Sequence, residues 1–171
     1  MGQSGFFWRF AAQHGRKWER VVFRGVQHIN MDAKGRMAVP SRQRDALSEQ
    51  CDGSVVITID TQSPCLAIYP LPEWERIEAE VQALPALNAA VKRFQRLVLG
   101  YASDIDLDAN GRILLPQSLR DYARLEKKVV LVGQGNKLEL WAEDLWLAER
   151  EAALAADSCA ELPAELMSLT L

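Results

Sequence analysis

The sequence predicts an α+β fold of two pseudo-repeated β-β-α-β-β units with a helical hairpin between them. Three observations predict it. One sequence pattern occurs twice in the same order, a tight-turn motif opens each copy, and amphipathic helical segments separate the copies. The 171 residues, of which 49% are hydrophobic, suffice for one or two small domains with a real core.

The internal repeat is carried by two segments of the same length. Residues 30–45 read NMDAKGRMAVPSRQRD and residues 106–121 read DLDANGRILLPQSLRD. The aligned identities are Asp32/Asp108, Ala33/Ala109, Gly35/Gly111, Arg36/Arg112, Pro40/Pro116, Arg44/Arg120 and Asp45/Asp121. Similarity continues downstream, where 54–60 matches 128–134 and 66–74 matches 138–146. Chance is a poor explanation of matches that keep this order over about 50 residues.

Each repeat opens with two strands joined by a tight turn. The alternating run at 22–31 predicts the first strand, and 36–39 and 112–115 predict the strands that follow the turns. Asp bonds its own downstream backbone and Gly supplies a positive φ, so Asp-Ala-Lys-Gly and Asp-Ala-Asn-Gly are turn sequences. Pro40 and Pro116 then stop the strand and suit the first turn of a helix.

The remaining elements follow in the same order in both repeats. Short helices are expected at 41–47 and 117–123, paired strands at 54–60 with 66–69 and at 129–134 with 137–141, and closing helices at 71–83 and 143–155. Gln134-Gly135-Asn136 predicts a hairpin turn. Such a unit is too small to hide its own sheet edges, so we expect the two units to complete one another.

A helical hairpin is predicted between the repeats. Apolar residues fall on one face of each helix, namely Trp74, Ile77, Val81 and Leu84 on the first and Val91, Phe94 and Val98 on the second. Asn88 can cap the second helix. The first helix is acidic, and the second carries Lys92, Arg93 and Arg96. We expect these charged faces to pair with each other or to be solvated, in preference to a nucleic-acid role.

The expected domain organisation follows from this repeat. It comprises an extension at 1–21, a first repeat with its helix at 22–83, a connecting helix at 84–99, a second repeat with its helix at 100–155, and a tail at 156–171. The extension carries a net charge of +3 and has no counterpart in the repeat. We interpret it as an upstream start assignment, with Val21 or Val22 as the true first position. The alternative is a basic arm that supports DNA binding.

Enzyme function is not indicated. The two histidines, His14 and His28, have no nucleophile or metal-ligand partner motif, and Gly133-Gln-Gly135 is too short for a phosphate loop. The three cysteines, Cys51, Cys65 and Cys159, form no CxxC pair, so we expect reduced thiols, no metal site and no cofactor. No apolar run is long enough to span a bilayer.

The motif Asp-x-x-Gly-Arg-x-x-x-Pro, present twice, resembles the MraZ family. So do the words Phe23-Arg24-Gly25, Tyr69-Pro-Leu-Pro-Glu-Trp74, Leu97-Val-Leu-Gly100 and Leu138-Glu-Leu-Trp141. The resemblance covers residues 22–171, although members of this family usually begin near the Phe-Arg-Gly word.

The resemblance implies an AbrB-like swapped-hairpin β-barrel. It also implies a cytoplasmic, nucleoid-associated transcriptional regulator of the division and cell-wall gene cluster. Its partners would be double-stranded DNA, at repeats in its own promoter, and copies of itself in a ring-shaped homo-oligomer, with no membrane.

Arg36 and Arg112 are the first candidates for DNA contact. Each follows the glycine that closes a turn, and a planar guanidinium there can grip a guanine edge or a phosphate with two bonds. The alternative is that Asp32 or Asp108 holds the arginine and orients the turn. The two interpretations are balanced for Arg112, and DNA contact is favoured for Arg36.

Local charge motivates that difference. Residues 32–45 carry a net charge of +2 and residues 106–121 carry −1. Lys34 and its counterpart in the second repeat, Asn110, are further candidates for DNA contact, and Arg24 on the preceding strand is expected to join the same face. We therefore expect repeat one to make most of the direct contact. Arg44 and Arg120 are expected to pair structurally with Asp45 and Asp121.

The net charge of −3 and the pI of about 5.5 argue against a protein that coats DNA without sequence preference. Weak affinity per chain is expected, and self-assembly along adjacent DNA sites would compensate for it. The rival function is a protein-binding, antitoxin-like module that uses the helix at 143–155.

Overall fold

The computed structural model describes residues 22–156 together with Leu166 and Leu169. The strands are β1 (Val26–Asn30), β2 (Arg36–Ala38), β3 (Ser54–Ile59), β4 (Leu66–Pro70), β5 (Ser103–Asp106), β6 (Arg112–Leu114), β7 (Lys128–Gly133) and β8 (Leu138–Ala142). The helices are α1 (Ser41–Cys51), α2 (Leu71–Gln82), α3 (Ala89–Val98), α4 (Gln117–Tyr122) and α5 (Glu143–Ala155). None of the helices in these residues is long and apolar enough to cross a membrane.

The strands form two antiparallel sheets. The larger has six strands in the order β1-β7-β8-β4-β3-β5, and the smaller is a two-stranded ribbon of β2 and β6. This mixed architecture, mostly antiparallel with helices packed against it, agrees with the expected α+β class.

Strand pairing crosses between the two repeats. The first strand of repeat one, β1, pairs with β7 of repeat two, and β5 of repeat two pairs with β3 of repeat one. Met37 faces Ile113 in the ribbon, and both occupy the same position of their repeats. The repeats are therefore related by a pseudo-twofold arrangement in which each supplies the edge strand of the other.

The core is shared in the same way. Met37 and Ile113, on the inner side of the ribbon, are 1% and 2% exposed, and they belong to one buried cluster with Leu47 of α1 and Leu119 of α4. Fully burying a side chain of this size contributes about 1.5–3 kcal/mol. The ribbon is consequently anchored through one face, and its other face is left for solvent.

The helical hairpin between the repeats forms as predicted. The Asn88 side chain accepts hydrogen bonds from the backbone N–H groups of Ala90 at 2.8 Å and Val91 at 3.4 Å, which caps α3. Trp74 of α2 and Val98 of α3 are buried against the sheet in one cluster.

Several boundaries differ from the sequence prediction. The first strand begins at Val26, because Gly25 adopts a φ of +96° that interrupts the extended run from residue 22. Pro40 and Pro116 lie one position before their helices, with φ near −55° and extended ψ. The helix α1 continues to Cys51 and ends at Asp52 in the left-handed region.

Candidate nucleic-acid interface

The outer face of the β2–β6 ribbon carries both candidate arginines. Arg36 faces Leu114 and Ala38 faces Arg112 across the ribbon. Residues alternate between faces along a strand, so these four side chains lie opposite the buried Met37 and Ile113. Arg36 and Arg112 are diagonal neighbours, a relationship that places such positions roughly 7–8 Å apart.

Each ribbon strand is preceded by a turn built on an aspartate. We call residues 32–35 the first turn and residues 108–111 the second turn. Asp32 Oδ1 accepts the backbone N–H groups of Lys34 and Arg36, both at 2.9 Å. Asp108 Oδ1 accepts those of Asn110 at 2.8 Å and Arg112 at 2.9 Å. The turn chemistry predicted from the sequence is therefore confirmed in both repeats.

The turn aspartates are held as carboxylates. The pKa values of Asp32 and Asp108 are lowered, mainly because each accepts the backbone N–H of the arginine four residues later. The same negative charge attracts the guanidinium. The Nε atom of Arg36 lies 3.4 Å from Asp32 Oδ2, and that of Arg112 lies 3.0 Å from Asp108 Oδ2.

The arginines are held at one edge and remain accessible at the other. The side chain of Arg36 is 38% exposed and that of Arg112 is 41% exposed. Within residues 22–156, their contacts with the turn aspartates involve Nε, and neither donates a hydrogen bond from its Nη atoms. The structural and DNA-binding interpretations are thus compatible, since the aspartate orients the fork and leaves its outer donors for a ligand. Arg36 is held less closely than Arg112.

Each turn is supported by the other repeat. The carbonyl of Gly35 accepts the N–H of Leu115, and the carbonyl of Gly111 accepts that of Val39, both at 2.9 Å. Arg120 lies against Gly35, and Arg44 lies against Gly111. These arginines leave no room for a side chain at either glycine.

This arrangement corrects two expectations about Arg44 and Arg120. The local charge comparison counted Arg44 with the rest of residues 32–45, but its side chain lies against the second turn. Arg44 does contact Asp45, at 3.7 Å. Arg120 instead donates from Nε to the carbonyl of Leu115 at 3.2 Å, while Asp121 accepts a hydrogen bond from Gln117.

The other candidates lie at different places on the surface. Lys34 and Asn110 are exposed at equivalent positions of the two turns. Arg24 is exposed but precedes β1, at the end opposite the first turn, where its carbonyl accepts a 3.4 Å hydrogen bond from Gln43. The expectation that Arg24 lies on the first strand is therefore wrong, and the structure does not bring it to the first turn.

A cluster of potential metal ligands lies apart from the ribbon. Asp60, Cys65 and Glu139 offer atoms within 4.8 Å of one another. Lys137 Nζ already lies 3.6 Å from Asp60 Oδ2 and 3.8 Å from Glu139 Oε1. Burial raises the pKa of the Cys65 thiol, so it stays protonated at neutral pH. An ammonium group and a neutral thiol account for this cluster. No sequence pattern marks this cluster, because Glu139 comes from a segment far from Asp60 and Cys65.

His28 is a surface residue of β1, as expected. Its Nδ1 lies 2.9 Å from Glu143 Oε2, and its side chain is 55% exposed.

Comparison with known proteins identifies similar chains. The profile of a family described as "MraZ protein, putative antitoxin-like" matches residues 22–97 and again residues 98–167. A protein of Alkalilimnicola ehrlichii is 55% identical over 150 residues, one of Halorhodospira halophila is 56% identical over 154, and one of Pseudomonas aeruginosa is 53% identical over 151. Each match covers 88% of this chain and 100% of the relative, and each relative is named "Transcriptional regulator MraZ". These names describe regulators, which confirms the expectation of a non-enzyme.

Proposed function

Because this chain belongs to the MraZ family, we propose that it is a sequence-specific DNA-binding regulator of the division and cell-wall gene cluster. It would act on its own promoter as a cytoplasmic, nucleoid-associated protein. The names of its relatives support the regulatory role.

The outward ribbon is the observation that carries the DNA-binding proposal. A two-stranded β-ribbon fits the major groove of B-DNA, and an arginine fork can pair with a guanine edge through two hydrogen bonds. Arg36 and Arg112 stand together on such a face, with exposed side chains and free Nη donors among the described residues. Each good pairing of this kind contributes roughly 1–3 kcal/mol of discrimination between bases.

The turns make this face rigid before DNA arrives. Asp32 and Asp108 fix the backbone at the root of each arginine, and the opposite repeat packs against both turns. Pre-organisation reduces the entropy lost on binding. We interpret the exchange of β1 and β5 between the repeats as the swapped-hairpin arrangement of the AbrB-like barrel, which would serve this rigidity.

Self-assembly is the second part of the proposal. Apolar side chains on the helical hairpin face solvent, namely Leu84 at 39%, Leu87 at 97%, Phe94 at 37% and Leu97 at 42% exposure. A cluster of this kind is typical of a protein–protein contact. Copies joined through it into a ring would present several ribbons to adjacent DNA repeats, and avidity can exceed single-site affinity by about 10²–10⁴.

Binding to DNA from upstream of its own gene tests the proposal. Fluorescence anisotropy at one stated salt concentration compares the wild type with Arg36→Ala. Arg76→Ala is the matched control, since Arg76 is an exposed arginine of α2 that pairs with Glu73 and Glu80. We expect Arg36→Ala to abolish specific binding with little change in thermal stability, and Arg76→Ala to bind normally. Unfolding of Arg36→Ala would instead identify a structural clamp.

The alternative is a protein-binding, antitoxin-like module without DNA contact. The exposure of Leu154, 80% on α5, is the observation that favours it. Failure of the wild type to bind any fragment of its upstream DNA would support this alternative over the regulator.

A further inference from the structure

The two ends of the ribbon have the same backbone and opposite charge. The first end comprises the first turn with its strand, residues 30–36, and the segment of repeat two packed against it, residues 120–128. The second end comprises residues 106–112 and the equivalent segment of repeat one, residues 44–54. Equivalent hydrogen bonds define both ends, so a comparison of their side chains is direct.

At the first end, cations of repeat two flank the turn of repeat one. Met31 donates its N–H to the carbonyl of Lys127 at 2.8 Å, and Asn30 faces Lys128 across the strand pair. An open groove of about 400 Å³ runs between the turn and this segment, and the charged residues that line it are Asp32, Arg120, Glu126 and Lys127.

At the second end, two small uncharged residues replace those cations. Leu107 donates its N–H to the carbonyl of Gly53 at 3.0 Å, so Gly53 stands where Lys127 stands at the first end. Ser54 takes the place of Lys128, and its hydroxyl donates to Asp106 at 2.6 Å.

The charge difference is large for surfaces this small. The first end carries six basic and three acidic side chains, and the second carries two basic and five acidic. At the first end Lys127 is exposed and has no ion pair within the described part of the chain. Lys128 is 71% exposed and lies 3.9 Å from Glu143, so part of its charge is already neutralised.

We propose that a DNA phosphate backbone crosses the first end alone. Lys127 and Arg124, which is also exposed and lies in the same segment of repeat two, would be sequence-independent contacts beside Arg36. This inference rests on the proposed DNA binding. It adds that only the first end of the ribbon meets phosphates, and it adds a second set of contacts. Phosphates are attracted where cations are in excess and are repelled where carboxylates are in excess. Repeat two is therefore part of the binding surface. Its segment 120–128 contributes more to that surface than its own turn does.

The salt dependence of binding tests the inference. The logarithm of the association constant falls with the logarithm of salt concentration by about 0.9 per phosphate contact. Lys127→Ala is expected to reduce that slope by about 1 and to weaken binding roughly fivefold to tenfold at 0.1 M salt, equally on promoter and scrambled DNA. The double variant Arg124→Ala/Lys127→Ala should reduce the slope by about 2. Arg150→Ala, at an exposed position two turns along α5, is the control and should leave the slope unchanged.

The outcomes separate this inference from the function beneath it. If the wild type binds no DNA, both fail. A second outcome is that the wild type binds DNA, Arg36→Ala does not, and Lys127→Ala keeps the wild-type slope and affinity. In that case the proposed phosphate contacts at the first end are wrong, and the proposed DNA-binding function stands. Equal losses of slope in Lys127→Ala and Arg150→Ala would also overturn it, because the attraction would then be diffuse.

Discussion

Arg120 of the second repeat lies directly against Gly35 of the first. A Cβ placed on residue 35 would stand 2.7 Å from Arg120 Nε and 2.9 Å from the carbonyl oxygen of Leu115. The φ of Gly35 is +88°, which L side chains rarely adopt. One residue thus meets a backbone requirement and a packing requirement, at the turn that orients Arg36.

The first prediction compares two glycines. Gly25 also has a positive φ, +96°, but a Cβ there would meet nothing within 4 Å. Gly25→Ala should cost about 1–2 kcal/mol from backbone strain alone. Gly35→Ala should cost at least about 1 kcal/mol more, because Arg120 and Leu115 must also move. Urea unfolding of both variants measures the difference, and equal losses would contradict the close approach.

The second prediction concerns acid. The folded-state pKa values of Asp32 and Asp108 lie below the ordinary value of about 3.9. Their charged forms therefore stabilise the fold above that pH, and the contribution is lost as the pH falls through the lowered pKa values.

The double variant Asp32→Asn/Asp108→Asn should consequently be less stable than the wild type near neutral pH. Its stability should also depend less on pH below about pH 4. Urea midpoints between pH 3 and pH 7 measure both effects. Asp144→Asn, on the exposed first turn of α5, is the control and should follow the wild-type curve. A double variant that remains as acid-sensitive as the wild type would show that other groups control the transition.

The local part of this structure was predictable from sequence, because local chemistry determines it. Asp32 and Gly35 fix a turn within four residues, and the apolar period of α5 fits the bounds predicted for it. The C-terminal turn of α1 was not predicted, because residues 48–51 carry no apolar period that indicates a helix. Gly25 was read as part of a strand because its positive φ leaves no mark in the pattern.

The pairing between repeats was not predictable in detail. Apolar alternation predicts which side of a strand is buried, and it does not identify the strand that lies beside it. The charge of Arg44 was therefore counted with residues 32–45, although Arg44 packs on Gly111 of the second turn. The charge difference between the ends of the ribbon depends on that exchange, so it was visible only once the neighbours of each turn were known.

The third prediction concerns Lys137. The half-buried ammonium group of Lys137 forms ion pairs with two carboxylates, those of Asp60 and Glu139, whose side chains are 18% and 13% exposed. Lys137→Met should destabilise the fold by about 1–3 kcal/mol, because two shielded charges lose their counter-ion. Lys128→Met, whose side chain is 71% exposed, should cost less than about 1 kcal/mol. Urea unfolding compares the two, and similar losses would show that the cluster around Lys137 is effectively solvated.

The fourth prediction concerns assembly. Phe94→Glu/Leu97→Glu places charge on the exposed apolar part of α3 and should yield monomers by light scattering while circular dichroism stays native. The monomer should lose most of its affinity for promoter DNA with several repeats and keep its weaker affinity for a single site. Leu154→Glu is the control on α5. A monomer that binds the multi-repeat promoter as tightly as the wild type would show that avidity is not needed.

Photo-crosslinking from the ribbon itself shows which surface of the protein contacts DNA. Leu114, 55% exposed, faces Arg36 across the ribbon, and Leu154, 80% exposed, lies on α5. p-Benzoylphenylalanine placed at either position, in protein bound to its upstream DNA, reports which surface touches the duplex. We expect crosslinks to DNA from position 114 and none from position 154. Crosslinks from position 154 alone, or none from position 114 in protein that binds DNA, would contradict this expectation.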